Sequence, residues 1–185
     1  MEKRATLDNL LNMKLEEKST FFQMVTKFSY YAWLYLVKQK SHRVRIRKAT
    51  RVFHLLKNTE FKREPGRLFA YLRTLDPFVF EELLLIAFKS RGLKVIHNKR
   101  YTGDGGIDGM VILPSKERLA IQAKRYKNHI NLQHIKDFSG VLKNHRCQGG
   151  LFIHCGKSGQ TVYQNIPENI MLISGTNLHR LLVAD

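Results

Sequence analysis

The sequence predicts an α/β fold, a mixed central sheet flanked by helices and preceded by a helical, basic N-terminal region. Three observations carry this expectation. No proline occurs before Pro65, and aromatic residues in that stretch recur at helical spacing. A capped and strongly apolar helix is signalled from Asp76 to Gly92. After Gly92 the apolar period changes: three strand-like segments come in succession, then strands alternate with helices.

The elements follow in order. Residues 5–18 and 19–40 read as helices, with Thr6 and Ser19-Thr20 as plausible caps. The second carries Phe21, Phe22, Phe28, Tyr30, Tyr31, Trp33 and Tyr35, a pattern read as packing rather than as a base-stacking platform. The segment Phe21–Val37 contains Gln23, Thr26, Lys27 and Ser29. It falls short of the ~20 apolar residues needed to span a bilayer, so it is read as a buried or partner-facing helix. The following run, Lys38–Arg51, is rich in Lys and Arg, and residues 58–68 read as a connector. The predicted division is therefore residues 1–75, the helical basic region, and residues 76–185, the α/β domain.

In the second part, Asp76 is a good N-cap, Pro77 suits the first helical position and Gly92 supplies the stop. The helix between them, Phe78–Phe88, is too apolar for a surface helix. Strands are expected at Leu93–His97, Ile107–Leu113 and Leu119–Tyr126, then a helix near Leu132–Asn144. A buried strand Gly150–His154, a loop from Gly156, a short helix, a strand Ile170–Ile173 and a closing helix Asn177–Leu182 complete the chain.

Composition narrows the partners. Lys and Arg number 32 against 15 Asp and Glu, a formal net charge of +17. Residues 1–75 hold 17 basic and 6 acidic side chains, so the N-terminal part is the stronger electrostatic arm. Such an excess attracts polyanions, and nucleic acid or an anionic membrane surface is the expected partner. Cys147 and Cys155 fit neither a CxxC pair nor a zinc spacing and are expected as free thiols in a reducing cytoplasm. The first twenty residues are charged and lack an apolar core, so no secretory signal is read there.

The chemistry is concentrated in two segments. Gly103-Asp104-Gly105-Gly106-Ile107-Asp108 is glycine-rich and acidic, and Gln122 and Lys124 lie two apart in the next strand. The polar turn Pro114–Arg118 makes the two strands an antiparallel hairpin. With the turn centred near Ser115 or Lys116, Asp108 sits opposite Gln122 or Lys124, and all three share a face. An odd register would separate them. Mg²⁺ takes oxygen ligands and keeps several waters, so one carboxylate and a side-chain carbonyl suffice to hold it. Lys124 would then activate a water or meet phosphate charge. A turn-forming acid and two polar residues on an exposed strand would give the same spacing, so spacing alone leaves both readings open.

Three blocks bear on that choice: Phe80-Glu81-Glu82-Leu83 in the apolar helix, the Gly103–Asp108 turn, and Ile121-Gln122-Ala123-Lys124-Arg125-Tyr126. With Leu172-Ile173-Ser174-Gly175 before the last helix, they make residues 76–182 resemble the catalytic domain of Mrr-like endonucleases, in the PD-(D/E)xK nuclease superfamily. The resemblance implies a restriction-endonuclease-like fold and Mg²⁺-dependent hydrolysis of DNA phosphodiesters, with Mn²⁺ as a substitute. It assigns Asp108 as metal ligand, Gln122 as metal-site ligand in place of the usual acid, Lys124 as the base or charge stabiliser, and Glu81 as the helix-borne acid. Glu82 is then a first-turn acid favouring the helix dipole. A restriction or defence role and a homodimer are the family-based expectations, with no small-molecule cofactor. Phosphate contacts are expected from Arg43, Arg45, Arg47, Lys48 and Arg51 in the basic run, and from Arg125, Lys127, Lys157 and Ser158. A catalytically inactive DNA-binding module and a Holliday-junction resolvase are the alternatives. Gly156-Lys157-Ser158 is not a nucleotide-binding loop, because Leu151 stands where the leading glycine belongs.

Overall fold

The computed structural model describes residues 24–30, 41–98 and 106–184. Two compact units divide the chain, Met1–Val44 and Arg45–Asp185. In the first, residues 24–30 are helical, and Met24, Phe28 and Tyr30 are exposed there. The helix expected at 5–18, most of that expected at 19–40, and Gly103, Asp104 and Gly105 of the acidic turn lie outside the described residues.

The second unit is a five-stranded mixed sheet with helices on both faces. Its helices begin with α1 (residues 41–56), whose first turn belongs to the first unit, then α2 (Thr59–Arg63), α3 (Pro65–Thr74) and α4 (Pro77–Ser90). There follow β1 (Lys94–His97), β2 (Gly109–Ile112), β3 (Arg118–Lys124), α5 (Leu132–Val141), β4 (Gly149–His154), α6 (Gln160–Gln164), β5 (Ile170–Ile173) and α7 (Gly175–Val183). The strand order is β1-β2-β3-β4-β5. The first three strands pair antiparallel, and β3-β4 and β4-β5 pair parallel.

Each face of the sheet has its own core. Val111, Ile121, Ala123, Leu151 and Ile153 pack with α1 to α4 and α7. Ala120, Phe152, Ile170 and Leu172 pack with Ile135, Phe138 and Leu142. Strand β4, parallel to both neighbours, is buried along its whole length, as a strand covered on both faces must be.

Helix α4 is set as its sequence demands. Asp76 Oδ1 accepts from the N–H groups of Phe78 and Val79 at 3.0 and 3.2 Å, Pro77 stands at the first helical position, and Gly92 ends the helix with φ +81°. The helix lies close on the sheet because Gly109 has no side chain: a Cβ there would meet Leu85 Cδ2 at 2.9 Å.

The segment 58–68 departs from expectation. It forms α2 and the start of α3, and Phe61, Leu68 and Leu72 are buried in the core shared with α4 and α7. Pro65 opens a helix rather than interrupting one, the first-turn use of proline. The compact unit starts at Arg45. Among the described residues no helix is long and apolar enough to cross a membrane.

Candidate active site

The hairpin register decides whether the polar residues of β2 and β3 can meet. Gly109 faces Ile121, and the turn is closed by Leu113 N–H donating to Glu117 O at 2.9 Å with Lys116 at φ +71°. One more step of that ladder sets Asp108 opposite Gln122, the even register. Asp108 itself leaves regular pairing. Its N–H donates to Ile121 O at 2.8 Å, and its Oδ2 accepts from Ala123 N–H at 2.7 Å. The carboxylate is thereby fixed beside the residue between Gln122 and Lys124.

Gln122 is oriented just as firmly. Its Nε2 donates to Gly106 O at 2.9 Å, which ties β3 back to the glycine-rich turn. That bond uses the amine side of the amide. The Oε1 atom is buried and has no hydrogen-bond partner among the described residues. Gln122 and Lys124 are both half-buried at the carboxyl end of β3, where open α/β sheets collect ligands.

Helix α4 contributes two acids in different settings. Glu81 is half-buried. Glu82 is 2 % exposed, and its Oε2 lies 2.7 Å from His97 Nδ1. It is neither a first-turn acid nor solvated, because it is the sixth residue of α4 and faces β1. Since His97 pairs with Gly109, this carboxylate–imidazole pair stands one residue from Asp108. Sequence reasoning passed over it. The available signal was an acid embedded in a run with no polar face, which a helix cannot present wholly to water.

The expected phosphate contacts divide. Arg43, Arg47, Lys48 and Arg51 are exposed on α1, opposite Ala49, Val52, Phe53 and Leu56, which are buried. The Arg45 guanidinium lies 4.3 Å over the Phe78 ring. Lys127 and Lys157 are exposed. Arg125 is turned inward instead: its Nη1 donates to Arg73 O at 2.9 Å and to Leu75 O, closing the end of α3. The Ser158 hydroxyl is also held inside, 3.0 Å from His154 Nε2 and 3.0 Å from Ser174 Oγ. Of the histidines flanking the Gln-Ala-Lys strand, His134 is exposed and its Nδ1 lies 2.5 Å from Tyr126 OH.

Two buried groups have strongly shifted ionisation. Burial pushes the His154 imidazole down to about 4, so it is neutral at pH 7. Burial pushes the Cys155 thiol up to about 12, against the opposing pull of Arg73 and Arg125. Cys147 is half-buried, and both thiols are free.

Residues 72–182, more than half of the chain, match the family model Mrr_cat, described as restriction endonuclease. The chain is similar to the type IV methyl-directed restriction enzyme EcoKMrr of Escherichia coli (strain K12), 29% identical over 124 residues. The match takes in 57% of this chain and 41% of that enzyme, so the chain spans about two-fifths of its relative's length. Among solved structures, the MspJI restriction endonuclease in complex with a 27-mer oligonucleotide superposes with a TM-score of 0.39 and 15% identity, covering 72% of this chain and 30% of that one.

Proposed function

The chain belongs to the restriction endonuclease family of Mrr catalytic domains, and from that premise we propose that it hydrolyses DNA phosphodiester bonds at a divalent-metal centre built from Asp108, Gln122, Lys124 and Glu81. The observation that carries this reading is the Gln122 amide. Its Nε2 is committed to Gly106 O while its buried Oε1 has no partner among the described residues. An unpaired buried acceptor costs about 1–3 kcal/mol, and a hard cation is the partner such an oxygen suits. The donor set fits Mg²⁺ or Mn²⁺: two carboxylates and an amide oxygen, all hard oxygen donors. When bound, the metal would supply Lewis-acid stabilisation of phosphate charge.

The chain's own residues supply the rest. The Asp108 carboxylate is held by Ala123 N–H, so it needs no rearrangement to serve as a ligand. Lys124 presents an ammonium two residues from Gln122, suited to orienting the attacking water or meeting charge on the phosphate. Glu81 adds a carboxylate from the helical layer. The exposed cations of α1 supply contacts that position the backbone without reading sequence. A homodimer would place two such centres on a duplex, and a restriction or defence role fits the family.

The test incubates supercoiled, linear and branched DNA, methylated and unmethylated, with the protein in Mg²⁺ and in EDTA. Cleavage in Mg²⁺ alone supports the proposal, and the preferred form identifies the substrate. Cleavage confined to branched DNA would make the chain a junction resolvase with the same chemistry. Salt-sensitive binding without any Mg²⁺-dependent product would make it a DNA-binding module that has lost catalysis.

A further inference from the structure

Beyond Lys124, the carboxyl ends of the parallel strands carry polar groups that the proposed metal centre does not use. Lys124 ends β3, its ladder partner His154 ends β4, and Ser174 follows β5. In-register neighbours on paired strands share a face. The row therefore continues from Lys124 across the sheet through His154 toward Ser174.

His154 is fully buried. Its Nδ1 accepts from Gly156 N–H at 3.2 Å, so the ring proton of the neutral imidazole resides on Nε2. Nε2 lies 3.0 Å from Ser158 Oγ and donates to it. Each hydroxyl beyond has one proton to give. Ser158 Oγ lies 3.0 Å from Ser174 Oγ, and Ser174 Oγ lies 3.3 Å from Tyr163 OH, so each can donate outward in turn. The contacts form one continuous chain from the buried ring to a tyrosine that is 55% exposed. With Ser174 as donor, the Tyr163 hydroxyl keeps its own proton for something outside. A hydroxyl that accepts a hydrogen bond becomes a better donor.

The loop between His154 and α6 is fixed by more than this chain. Lys157 N–H donates to Asn128 O and Ile130 N–H donates to Lys157 O, both at 3.2 Å. A Cβ at Gly156 would fall 2.3 Å from Asn128 O, so the loop lies against the segment that follows β3. Its relation to Lys124 is set by backbone, not by a free-swinging tip.

We propose that His154, Ser158 and Ser174 are positioning residues for Tyr163, whose hydroxyl donates a hydrogen bond to a backbone phosphate of bound DNA next to the one attacked. The proposal rests on the DNA-cleaving reading above. Ser174 stands two strand spacings from Lys124, about 10 Å, which suits a flanking phosphate rather than the scissile one. As a neutral donor, Tyr163 would add grip without releasing a counterion.

The experiment measures duplex binding by fluorescence anisotropy in EDTA at several salt concentrations, with thermal unfolding in parallel. The proteins are wild type, Tyr163→Phe, Ser158→Ala and the double variant. Tyr163→Phe is expected to bind about 3- to 10-fold more weakly at every salt, with the slope of log Kd against log salt unchanged. Ser158→Ala is expected to weaken binding in the same direction. The double variant is expected to bind no more weakly than Tyr163→Phe alone, because both changes interrupt one chain. Wild-type affinity in Tyr163→Phe would overturn the proposal, as would strictly additive losses. A Ser158→Ala protein that loses melting temperature but binds as wild type would also overturn it. These failures leave wild-type cleavage untouched; absence of wild-type binding would instead fell the DNA reading, and this proposal with it.

Discussion

Gln122 is the residue at which structure and chemistry bear most directly on each other. If its Oε1 were only a buried polar atom, replacing the amide by a hydrocarbon of similar size would relieve the cost of burial. If it is a ligand, the same change removes an oxygen from the metal. Gln122→Leu is therefore expected to weaken Mn²⁺ binding by at least ~10-fold in a calorimetric titration, and an unchanged affinity would remove Gln122 from the centre. His154 makes a separate prediction. Its folded-state pKa, about 4, lies below the unfolded value of 6.5. Between those values the unfolded chain binds the extra proton, so stability is full above pH 6.5 and is lost as pH falls toward 4. The loss approaches about 1.4 kcal/mol per pH unit. Denaturant midpoints over that range should fall more steeply for wild type than for His154→Gln; parallel curves would contradict this. At this scale the even register that sets Asp108 opposite Gln122 was legible, because alternation in a hairpin follows from turn position. The Glu82–His97 pair was not, since nothing local marks which acid of an apolar helix turns toward the sheet. The inward contacts of Arg125 and Ser158 were not legible for a related reason: their chain neighbours do not reveal that carbonyls of Arg73 and Leu75, or the Ser174 hydroxyl, are waiting in space.

Among the elements, α4 and the β2–β3 hairpin do the positioning. Caps at Asp76 and Gly92 and the polar turn before Arg118 are local signals, and local signals were readable. Helices α2 and α3 were missed because Pro65 and Gly66 look like punctuation in sequence, while burial of Phe61, Leu68 and Leu72 depends on α7 from the far end of the chain. His179 Nε2, 2.9 Å from Phe61 O, belongs to that long-range packing. The inward turn of Arg125 gives an element-scale prediction. It ties the residue after β3 to the end of α3. Arg125→Ala should therefore lower the thermal midpoint by several degrees, from ~1–3 kcal/mol lost with its hydrogen bonds. The salt slope of DNA binding should stay unchanged. A flattened slope with an unchanged midpoint would return Arg125 to the phosphate contacts.

For the whole molecule, the net charge of +17 and the exposed cations of α1 dictate how binding should respond to salt. Each phosphate contact released should reduce the slope by about 1. Replacing Arg47, Lys48 and Arg51 together by Gln is expected to weaken binding uniformly across DNA sequences and to lower the slope by about 2–3. A slope that does not move would place the DNA elsewhere on the surface. The architecture was readable at this scale because the change of apolar period after Gly92 separates helical from sheet-forming chain. The extent of the compact unit was not, since it depends on α1 side chains reaching a core assembled mostly from residues far along the sequence.

In the proposed centre, Asp108 and Lys124 cleave DNA together with a bound divalent metal. Single-turnover cleavage of a labelled duplex in Mg²⁺ tests it most directly, comparing wild type with Asp108→Asn and Lys124→Ala at protein concentrations that saturate the DNA. Each substitution should slow the cutting step by ~10²-fold or more, with duplex binding in EDTA retained. Variants that fold, bind and cut at the wild-type rate would contradict the account.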